Sequence, residues 1–191
     1  MDVSISLVAL VCLSPLMLII ALAVKGTSHG PVFFRQKRGG LGGKPFYMMK
    51  FRSMEVGAEA KRDALLAFNE RAGPAFKMTN DPRVTPLGNF LRKWSLDELP
   101  QLINVLKGDM SLVGPRPLYI SEEKAMDQWH TMRRSVKPGI TCLWQITSRD
   151  EADFDNWMRL DAQYIRNVSF WLDVKILLMT LPAVLSRKGA K

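Results

Sequence analysis

The first part of the chain is an apolar run that limits what the whole chain can fold into. Residues 3–24 carry no formal charge and are mostly Leu, Ile, Val and Ala. A helix of that length is long enough for the hydrocarbon core of a bilayer, which is about 30 Å thick. No basic flank precedes the run and no clear cleavage site follows it at Lys25, which argues against a secretory signal peptide. We therefore predict a membrane-associated helix over residues 1–25 and a second unit over residues 26–191.

A proline lies in the middle of this run. Pro15 removes a backbone hydrogen bond and disfavours helical geometry at Ser14, so the helix is expected to bend or break there. Hydropathy favours a kinked helix that spans the membrane and leaves the basic residues 25–50 in the cytoplasm. The alternative is a re-entrant hairpin with both ends on one face. The missing basic flank also suggests a longer natural chain before Met1.

The net charge points to an anionic partner. The chain has 27 Lys and Arg against 18 Asp and Glu, which gives +9. Nucleic acid, an anionic membrane face and phosphorylated substrates would all suit this charge. Cys12 and Cys142 form neither a disulfide framework nor a zinc spacing. A non-enzymatic basic module, either a membrane adaptor or a nucleic-acid binder, therefore stands as an alternative to an enzyme.

The segment after the apolar run predicts a β-hairpin. Apolar strands are expected at residues 31–34 and Pro45–Phe51, with a glycine-rich turn at residues 39–43 between them. The glycines belong to no Walker or dinucleotide fingerprint, so a simple turn is preferred to a phosphate loop. A helix of mixed charge is predicted over residues 56–70.

Two adjacent carboxylates, Asp97 and Glu98, occur where a further helix is predicted to begin. Ser95 and Glu98 have the spacing of a capping box, but Pro100 is tolerated best in the first turn of a helix that begins near Asp97. The positive end of a helix dipole keeps a carboxylate ionised and also attracts phosphate. A helix cap and a phosphate site are therefore both compatible with this stretch.

The C-terminal part predicts two helices, over residues 154–166 and 168–185. The second is strongly apolar, but Asp173 and Lys175 argue against deep insertion into a bilayer. We expect it to lie in the membrane interface with Trp171 at head-group depth. A core helix of a soluble domain is the alternative.

Four motifs in order resemble one protein family. Together they resemble the bacterial sugar transferases, or monotopic phosphoglycosyl transferases, and the likeness extends from the apolar run to the C-terminal helix. The motifs are Lys-Phe-Arg-Ser-Met at 50–54, Ser-Leu-Asp-Glu-Leu-Pro-Gln at 95–101, Lys-Gly-Asp-Met-Ser-Leu-Val-Gly-Pro-Arg-Pro at 107–117 and Lys-Pro-Gly-Ile-Thr at 137–141.

The resemblance implies a fold. It is an α+β monotopic membrane protein with a broken re-entrant N-terminal helix, a small β-hairpin and amphipathic interfacial helices. Ser14 and Pro15 match the break in the family's membrane helix. On the resemblance, the re-entrant hairpin therefore replaces the spanning helix, and residues 26–191 form a catalytic domain at the cytoplasmic face with a C-terminal interfacial helix.

The resemblance also implies an activity. Such enzymes transfer a sugar 1-phosphate from a UDP-sugar to polyprenol (undecaprenol) phosphate at the cytoplasmic face of the bacterial inner membrane, and they release UMP. This step initiates surface polysaccharide assembly. Asp97 would be the nucleophile that forms a phosphosugar ester, and Glu98 would hold Mg²⁺. No nucleic acid partner is implied, and a homodimer is compatible with the resemblance.

Attack by a carboxylate on a phosphoryl centre requires cations to neutralise the negative charge. Arg116 is favoured, because its flanking prolines restrict the backbone and its guanidinium offers a planar fork. Arg38 and Arg83 are interpreted as solvated surface charges. The predicted substrate-binding set is Lys50, Arg52, Arg92, Pro115, Arg116, Pro117 and Arg149.

Two positions depart from the family pattern. Cys142 stands where a glycine usually follows Ile-Thr, and Ser148 replaces a glycine in the turn before Arg149. If that turn requires a positive φ, Ser148 would shift Arg149 away from phosphate. The pair Trp144 and Gln145 is similar to exopolysaccharide-initiating enzymes that use UDP-glucose or UDP-galactose, but the sequence does not select the sugar.

Overall fold

The computed structural model of the protein describes residues 1–70, 73, 75–126, 128–147 and 153–186. These residues form a mixture of helices and two small sheets, in agreement with the predicted α+β class. The helices and strands, in chain order, are α1 (Asp2–Thr27), β1 (Phe33–Gly39), β2 (Pro45–Phe51), α2 (Pro86–Lys93), α3 (Gln101–Leu106), β3 (Ser111–Val113), α4 (Ile120–Lys124), β4 (Gly139–Thr141), α5 (Leu143–Thr147), α6 (Phe154–Arg166) and α7 (Phe170–Leu185).

The apolar run forms α1, a helix that continues through Pro15. Pro15 has no N–H to bond the carbonyl of Val11, and the Ser14 hydroxyl donates to that carbonyl instead, at 2.8 Å. By length and composition α1 could cross a membrane, and only 11% of its most apolar 18-residue window is buried inside the protein. The helix is thus confirmed, whereas the predicted break at Pro15 does not appear as an interruption.

The predicted hairpin is confirmed. Strands β1 and β2 are antiparallel, with Phe33 opposite Phe51 and Gly39 opposite Pro45. The first strand begins two residues later than expected and runs on to Gly39. Along it, Arg35 and Lys37 are exposed, whereas Gln36 between them is buried and Arg38 is half-buried.

The helix predicted over residues 56–70 is wrong. The described part of this segment consists of turns and a 3₁₀ stretch at Asp63–Phe68. Gly57 has φ 81°, a left-handed conformation that an α-helix cannot contain, and the bonds that follow connect residues three apart, such as Leu65 N–H to Arg62 O at 3.0 Å. Arg62 also forms an ion pair with Glu122 at 2.9 Å. A tertiary contact therefore fixes a segment whose charge pattern favoured a helix.

Strands β3 and β4 pair in parallel, and this pairing joins two of the sequence motifs. Gly114 N–H donates to Thr141 O and Gly139 N–H donates to Pro115 O, each at 3.0 Å. A Cβ on Gly139 would lie 2.1 Å from the nitrogen of Gly114, so only glycine permits this approach. The Gly-Pro-Arg-Pro and Lys-Pro-Gly-Ile-Thr motifs are thus one structural unit.

Three buried clusters hold these elements together. The first includes Leu102, Met110 and Ile176 and packs against the N-terminal half of α1. The second is centred on the aromatic side chains of α5 and α6, namely Trp144, Phe154 and Trp157. The third includes Val24 and Phe51 and joins the C-terminal half of α1 to the hairpin. Both halves of α1 therefore pack on the same domain.

The two C-terminal helices are confirmed at α6 and α7. Ser169 caps α7, since its hydroxyl accepts a hydrogen bond from Leu172 N–H at 3.2 Å. Ile176 is fully buried, whereas Trp171 is 77% exposed. The exposed face of α7 is apolar, and its members include Phe170, Leu178, Leu181 and Leu185.

Candidate active site

The carboxylate pair lies in a tight turn between α2 and α3. Ser95 has φ 54°, the one positive φ among the described non-glycine residues, and a 3₁₀ turn at Leu96–Glu98 follows it. The α-helix begins at Gln101, with Pro100 in the N-cap position, so the prediction that it begins near Asp97 is wrong. The fixed φ of proline suits a helix start and its missing N–H costs nothing there. Left-handed backbone at a non-glycine residue is strained, and such strain is concentrated at functional sites.

Glu98 is held between two cations. Its Oε1 accepts from Lys50 Nζ and from Arg116 Nη2, each at 2.7 Å, and its side chain is 13% exposed. Burial by itself would raise the pKa of Glu98, but the charges and hydrogen bonds of Arg116 and Lys50 outweigh it and hold that pKa well below its usual range. Glu98 is therefore ionised at any physiological pH.

Asp97 lies in a different environment from Glu98, although the two are adjacent in sequence. Its side chain is 6% exposed, and Lys50 Nζ lies 3.8 Å from Oδ2. Burial raises the pKa of Asp97; the positive charge of Lys50 opposes that shift and the negative charge of Glu98 adds to it. Asp97 also lies in the 3₁₀ turn before α3 and not in the first turn of that helix, so burial, and not the helix dipole that the sequence suggested, is the largest influence on its pKa. Asp97 is a desolvated carboxylate, which is a more reactive nucleophile than a solvated one.

The carboxylate pair opens into a cleft of about 280 Å³, which we call the polar cleft. Six of the sequence-predicted residues line it, namely Lys50, Arg92, Asp97, Glu98, Arg116 and Pro117. Arg92 is oriented by Ser53, whose hydroxyl accepts from Nε at 2.9 Å. The structure thus brings most of the predicted phosphate-binding cations to one place.

Two predicted site residues, Arg52 and Pro115, lie outside the lining of the polar cleft. Arg52 is 6% exposed and donates to the carbonyl of Val24 at 3.3 Å and to that of Ser28 at 2.7 Å, so it holds the C-terminal end of α1. Pro115 does not line the polar cleft and instead supports the turn through its carbonyl. Arg149 falls outside the described residues.

Arg38 and Arg83, predicted to be surface charges, both line the polar cleft. Arg83 forms an ion pair with Asp81 at 2.6 Å, and both side chains are 6% exposed. Arg38 lies 3.5 Å from the centroid of the Tyr119 ring, and burial lowers its pKa. The alternation of β1, which puts Arg38 on the inward face, is the sequence signal that could have revealed it.

An aromatic wall of the cleft was also missed. Trp144 and Trp157 have ring centroids 4.6 Å apart, and both line the cleft. They come from α5 and α6, which meet only in the folded chain. Their spacing in sequence carries no signal for this contact.

A second cavity of about 400 Å³, which we call the apolar groove, adjoins the polar cleft. Its walls come from α1, α3, β4 and α7 and include Leu13, Leu102, Ile140 and Leu181. The two cavities share three lining residues, Ser95, Glu98 and Gln145. The apolar groove therefore meets the polar cleft at Glu98, the neighbour of Asp97.

Fold and site together define a class of protein, in which a domain with an exposed apolar helix holds a carboxylate pair among buried cations. The family model described as bacterial sugar transferase matches residues 1–187, so the chain belongs to that family. The resemblance in the four motifs is thus confirmed.

Relatives of known name share the match. The chain is 43% identical over 196 residues to the undecaprenyl-phosphate galactose phosphotransferase of Salmonella typhimurium. The aligned region covers 99% of this chain and 40% of that protein. It is 44% identical over 188 residues to the UDP-glucose:undecaprenyl-phosphate glucose-1-phosphate transferase of Escherichia coli, and the aligned region covers 94% of this chain and 38% of that protein. It is 39% identical over 193 residues to the exopolysaccharide production protein ExoY of Rhizobium meliloti, and the aligned region covers 99% of this chain and 85% of that protein. The chain thus spans about two fifths of the length of the first two relatives.

Proposed function

We propose that this chain transfers a sugar 1-phosphate from a UDP-sugar to a polyprenol phosphate, such as undecaprenol phosphate, and releases UMP. The observation that carries the proposal is the position of Glu98, which lines both the polar cleft and the apolar groove, next to Asp97, which lines the polar cleft. A water-soluble, charged donor suits the first cavity and a lipid acceptor suits the second. The names of the Salmonella and Escherichia relatives support these substrate classes.

In the first step, Asp97 attacks the sugar-linked phosphorus of the donor. A carboxylate oxygen of Asp97 forms a bond to that phosphorus, and the bond from the phosphorus to the oxygen that bridges the two phosphates breaks. The electron pair leaves with UMP, and the sugar phosphate remains as an ester on Asp97. Asp97 must be deprotonated for this attack, and Lys50 at 3.8 Å favours that state.

The cations of the polar cleft stabilise the charge that develops in this step. Arg116, Lys50 and Arg92 all line the cleft and can donate to phosphate oxygens. Glu98 keeps Lys50 and Arg116 in place through its two 2.7 Å contacts. Charge-assisted hydrogen bonds that are already oriented require little reorganisation during the reaction.

The residues of the site fit a magnesium ion that binds with the donor. No cluster of three His, Cys, Asp or Glu ligands occurs among the described residues. Magnesium does not need one, since it usually keeps several waters and takes one or two carboxylates plus phosphate oxygens. Glu98 would hold it, because Oε2 takes part in neither of the ion pairs made by Oε1. When bound, Mg²⁺ would supply positive charge to the diphosphate.

In the second step, a phosphate oxygen of the acceptor attacks the phosphorus on Asp97. The bond from Asp97 to phosphorus breaks, the carboxylate is restored, and a polyprenyl diphosphate sugar leaves. The apolar groove offers the prenyl chain a surface of leucine and isoleucine side chains that ends beside Glu98. The acceptor phosphate can therefore reach Asp97 while its chain stays in apolar surroundings.

We place the chain at the cytoplasmic face of the bacterial inner membrane, with α1 as a re-entrant helix. Two contacts at opposite ends of α1 support this placement. Asp2 Oδ1 accepts from Leu112 N–H at 3.4 Å, and Arg52 binds the carbonyls of Val24 and Ser28. A spanning helix would have only one end near the domain. Labelling of cysteines introduced at Met1 and Ser28 in intact cells tests this: both should be shielded from periplasmic reagent, and labelling of Met1→Cys alone would indicate a spanning helix.

The activity is tested with protein in nanodiscs, Mg²⁺ and labelled UDP-glucose or UDP-galactose. Wild type should release UMP without acceptor, in an amount limited by the enzyme, and should carry the labelled sugar phosphate. Asp97→Asn should do neither, and Glu98→Gln should form the adduct more slowly. Equal behaviour of wild type and Asp97→Asn would refute Asp97 as the nucleophile. The choice of sugar stays open, because the relatives' names include both galactose and glucose.

No observation among the described residues favours the alternative of a nucleic-acid-binding module. Three cations of the polar cleft, Lys50, Arg83 and Arg116, are instead paired with buried carboxylates. The homodimer remains a prediction.

A further inference from the structure

Behind the Pro-Arg-Pro turn lies a buried ion pair that the proposed mechanism does not use. Arg133, in a 3₁₀ stretch at Gln128–Ser135, is 7% exposed, and Asp161 of α6 is 2% exposed. Arg133 Nε and Nη2 lie 3.0 and 2.9 Å from Asp161 Oδ2. An ion pair this deeply buried is costly to desolvate and gives little net stability by itself, so its presence calls for a further role.

The same guanidinium holds the backbone of the residue that contacts Glu98. Arg133 Nη2 donates to the carbonyl of Arg116 at 2.6 Å. The side chain of Arg116 then reaches forward to Glu98 Oε1 at 2.7 Å. A continuous series of contacts thus runs from Asp161 through Arg133 and Arg116 to the carboxylate pair.

Neither member of the buried pair reaches the reacting groups. Arg133 and Asp161 are absent from the lining of the polar cleft, whereas Arg116 is part of it. The residue before Arg116 is fixed separately, because Gly139 N–H donates to Pro115 O. Arg133 therefore supplies the contact that fixes the Arg116 carbonyl itself.

We propose that Arg133 and Asp161 are positioning residues, which act through Arg116 to set the direction of its guanidinium toward the donor diphosphate. The identity of that ligand rests on the proposed function. The planar fork of arginine is required, since Arg133 donates to a carboxylate and to a carbonyl in two directions at once. A lysine at this position would keep the charge but not both contacts.

The experiment is a double-mutant cycle on the binding of UDP with Mg²⁺, measured by calorimetry on the full chain in nanodiscs. Arg133→Lys should weaken UDP binding about tenfold when Arg116 is present, and less than about twofold in the Arg116→Ala background. The matched control is Arg134→Lys, the next arginine in the same 3₁₀ stretch, which is paired with Glu123; neither Arg134 nor Glu123 lines the polar cleft. Its effect on UDP binding should be the same in both backgrounds.

Equal effects of Arg133→Lys in the two backgrounds would overturn the proposal, as would a loss of thermal stability with unchanged UDP binding. If Arg133→Lys does not fold, Asp161→Asn is used instead. Asp161→Asn should likewise weaken UDP binding only when Arg116 is present, and equal effects in the two backgrounds would overturn the proposal. The readout is separate from chemistry. A protein that binds UDP but forms no adduct on Asp97 would refute the proposed function and still allow the coupling between Arg133 and Arg116 to be measured.

Discussion

The polar cleft and the apolar groove meet at Glu98, yet they are built from different kinds of contact. The cleft includes residues of the hairpin, the 3₁₀ turn and the Pro-Arg-Pro turn, and its charges at Lys50, Glu98 and Arg116 are fixed by opposite charges within contact distance. The groove is built mainly from α1, α3 and α7, and its lining is apolar. Directed ionic contacts depend on single atoms, whereas apolar surface depends on area and volume. Donor and acceptor binding should therefore be separable by mutation.

The largest effect is expected in the polar cleft. Arg116→Ala should lower kcat/KM for the UDP-sugar by about 10²–10³-fold, because it removes an oriented charge-assisted donor and leaves Glu98 with one cation fewer. Steady-state kinetics with varied donor and acceptor measure this, and the acceptor KM should change little. Arg116→Lys is the control and should recover only part of the loss, since lysine lacks the fork. A matching rise in the acceptor KM would show that the cavities are not separable.

The next effect concerns α1, which forms one wall of the groove and whose C-terminal end is held by Arg52. Arg52→Ala should lower the free energy of unfolding by about 2–3 kcal/mol, because the carbonyls of Val24 and Ser28 lose a buried partner. Thermal unfolding in nanodiscs checks this, and the donor KM should stay within about twofold. Arg92→Ala is the contrasting variant, which should affect donor binding. If Arg52→Ala raised the donor KM without loss of stability, the result would support the sequence-based prediction that Arg52 contacts the donor phosphate.

A smaller effect is expected from a change of volume in the groove. Ala183 of α7 lines it, so Ala183→Trp should occupy space meant for the prenyl chain and raise the acceptor KM about tenfold, at an unchanged donor KM. Kinetics with a short-chain polyprenol phosphate measure both constants. The control is Leu178→Trp on the same helix, because Leu178 is 65% exposed and does not line the groove. Equal behaviour of the two variants would place the acceptor elsewhere.

The smallest effect is a shift in pH dependence. Burial raises the pKa of Asp97, and a nucleophilic carboxylate is active only when deprotonated, so adduct formation should be lost as pH falls through that raised pKa. The negative charge of Glu98 also raises the pKa of Asp97, so Glu98→Gln should move the midpoint of the pH profile for adduct formation to lower pH, by about one unit or less. Single-turnover rates across pH measure it. A midpoint that stays in place would contradict the coupling between the two carboxylates.

Local signals predicted the elements that local forces determine. The hairpin, α6 and α7 follow from strand alternation, turn glycines and apolar periodicity. The helix at residues 56–70 did not form because Gly57 is left-handed and Arg62 is tied to Glu122 from a distant part of the chain. Long-range contacts of this kind have no signature in sequence spacing.

The site shows the same contrast between what local sequence signals predict and what long-range contacts determine. Asp97, Glu98 and Arg116 were predicted from their motifs, and the structure brings them together. Arg52 was assigned to phosphate but lies under α1, and Arg83 was assigned to solvent but lies in the cleft. Whether an arginine ends in a cavity or beneath a helix depends on tertiary packing, and its charge is the same in both places.

One measurement tests the central claim most directly. Wild type, Asp97→Asn and Glu98→Gln are incubated in nanodiscs with Mg²⁺ and UDP-sugar, without acceptor, and analysed by intact-protein and peptide mass spectrometry. The account predicts that wild type gains one hexose phosphate on Asp97, that polyprenol phosphate removes it, and that Asp97→Asn never carries it. Turnover by wild type with no adduct, or an adduct that persists in Asp97→Asn, would contradict it.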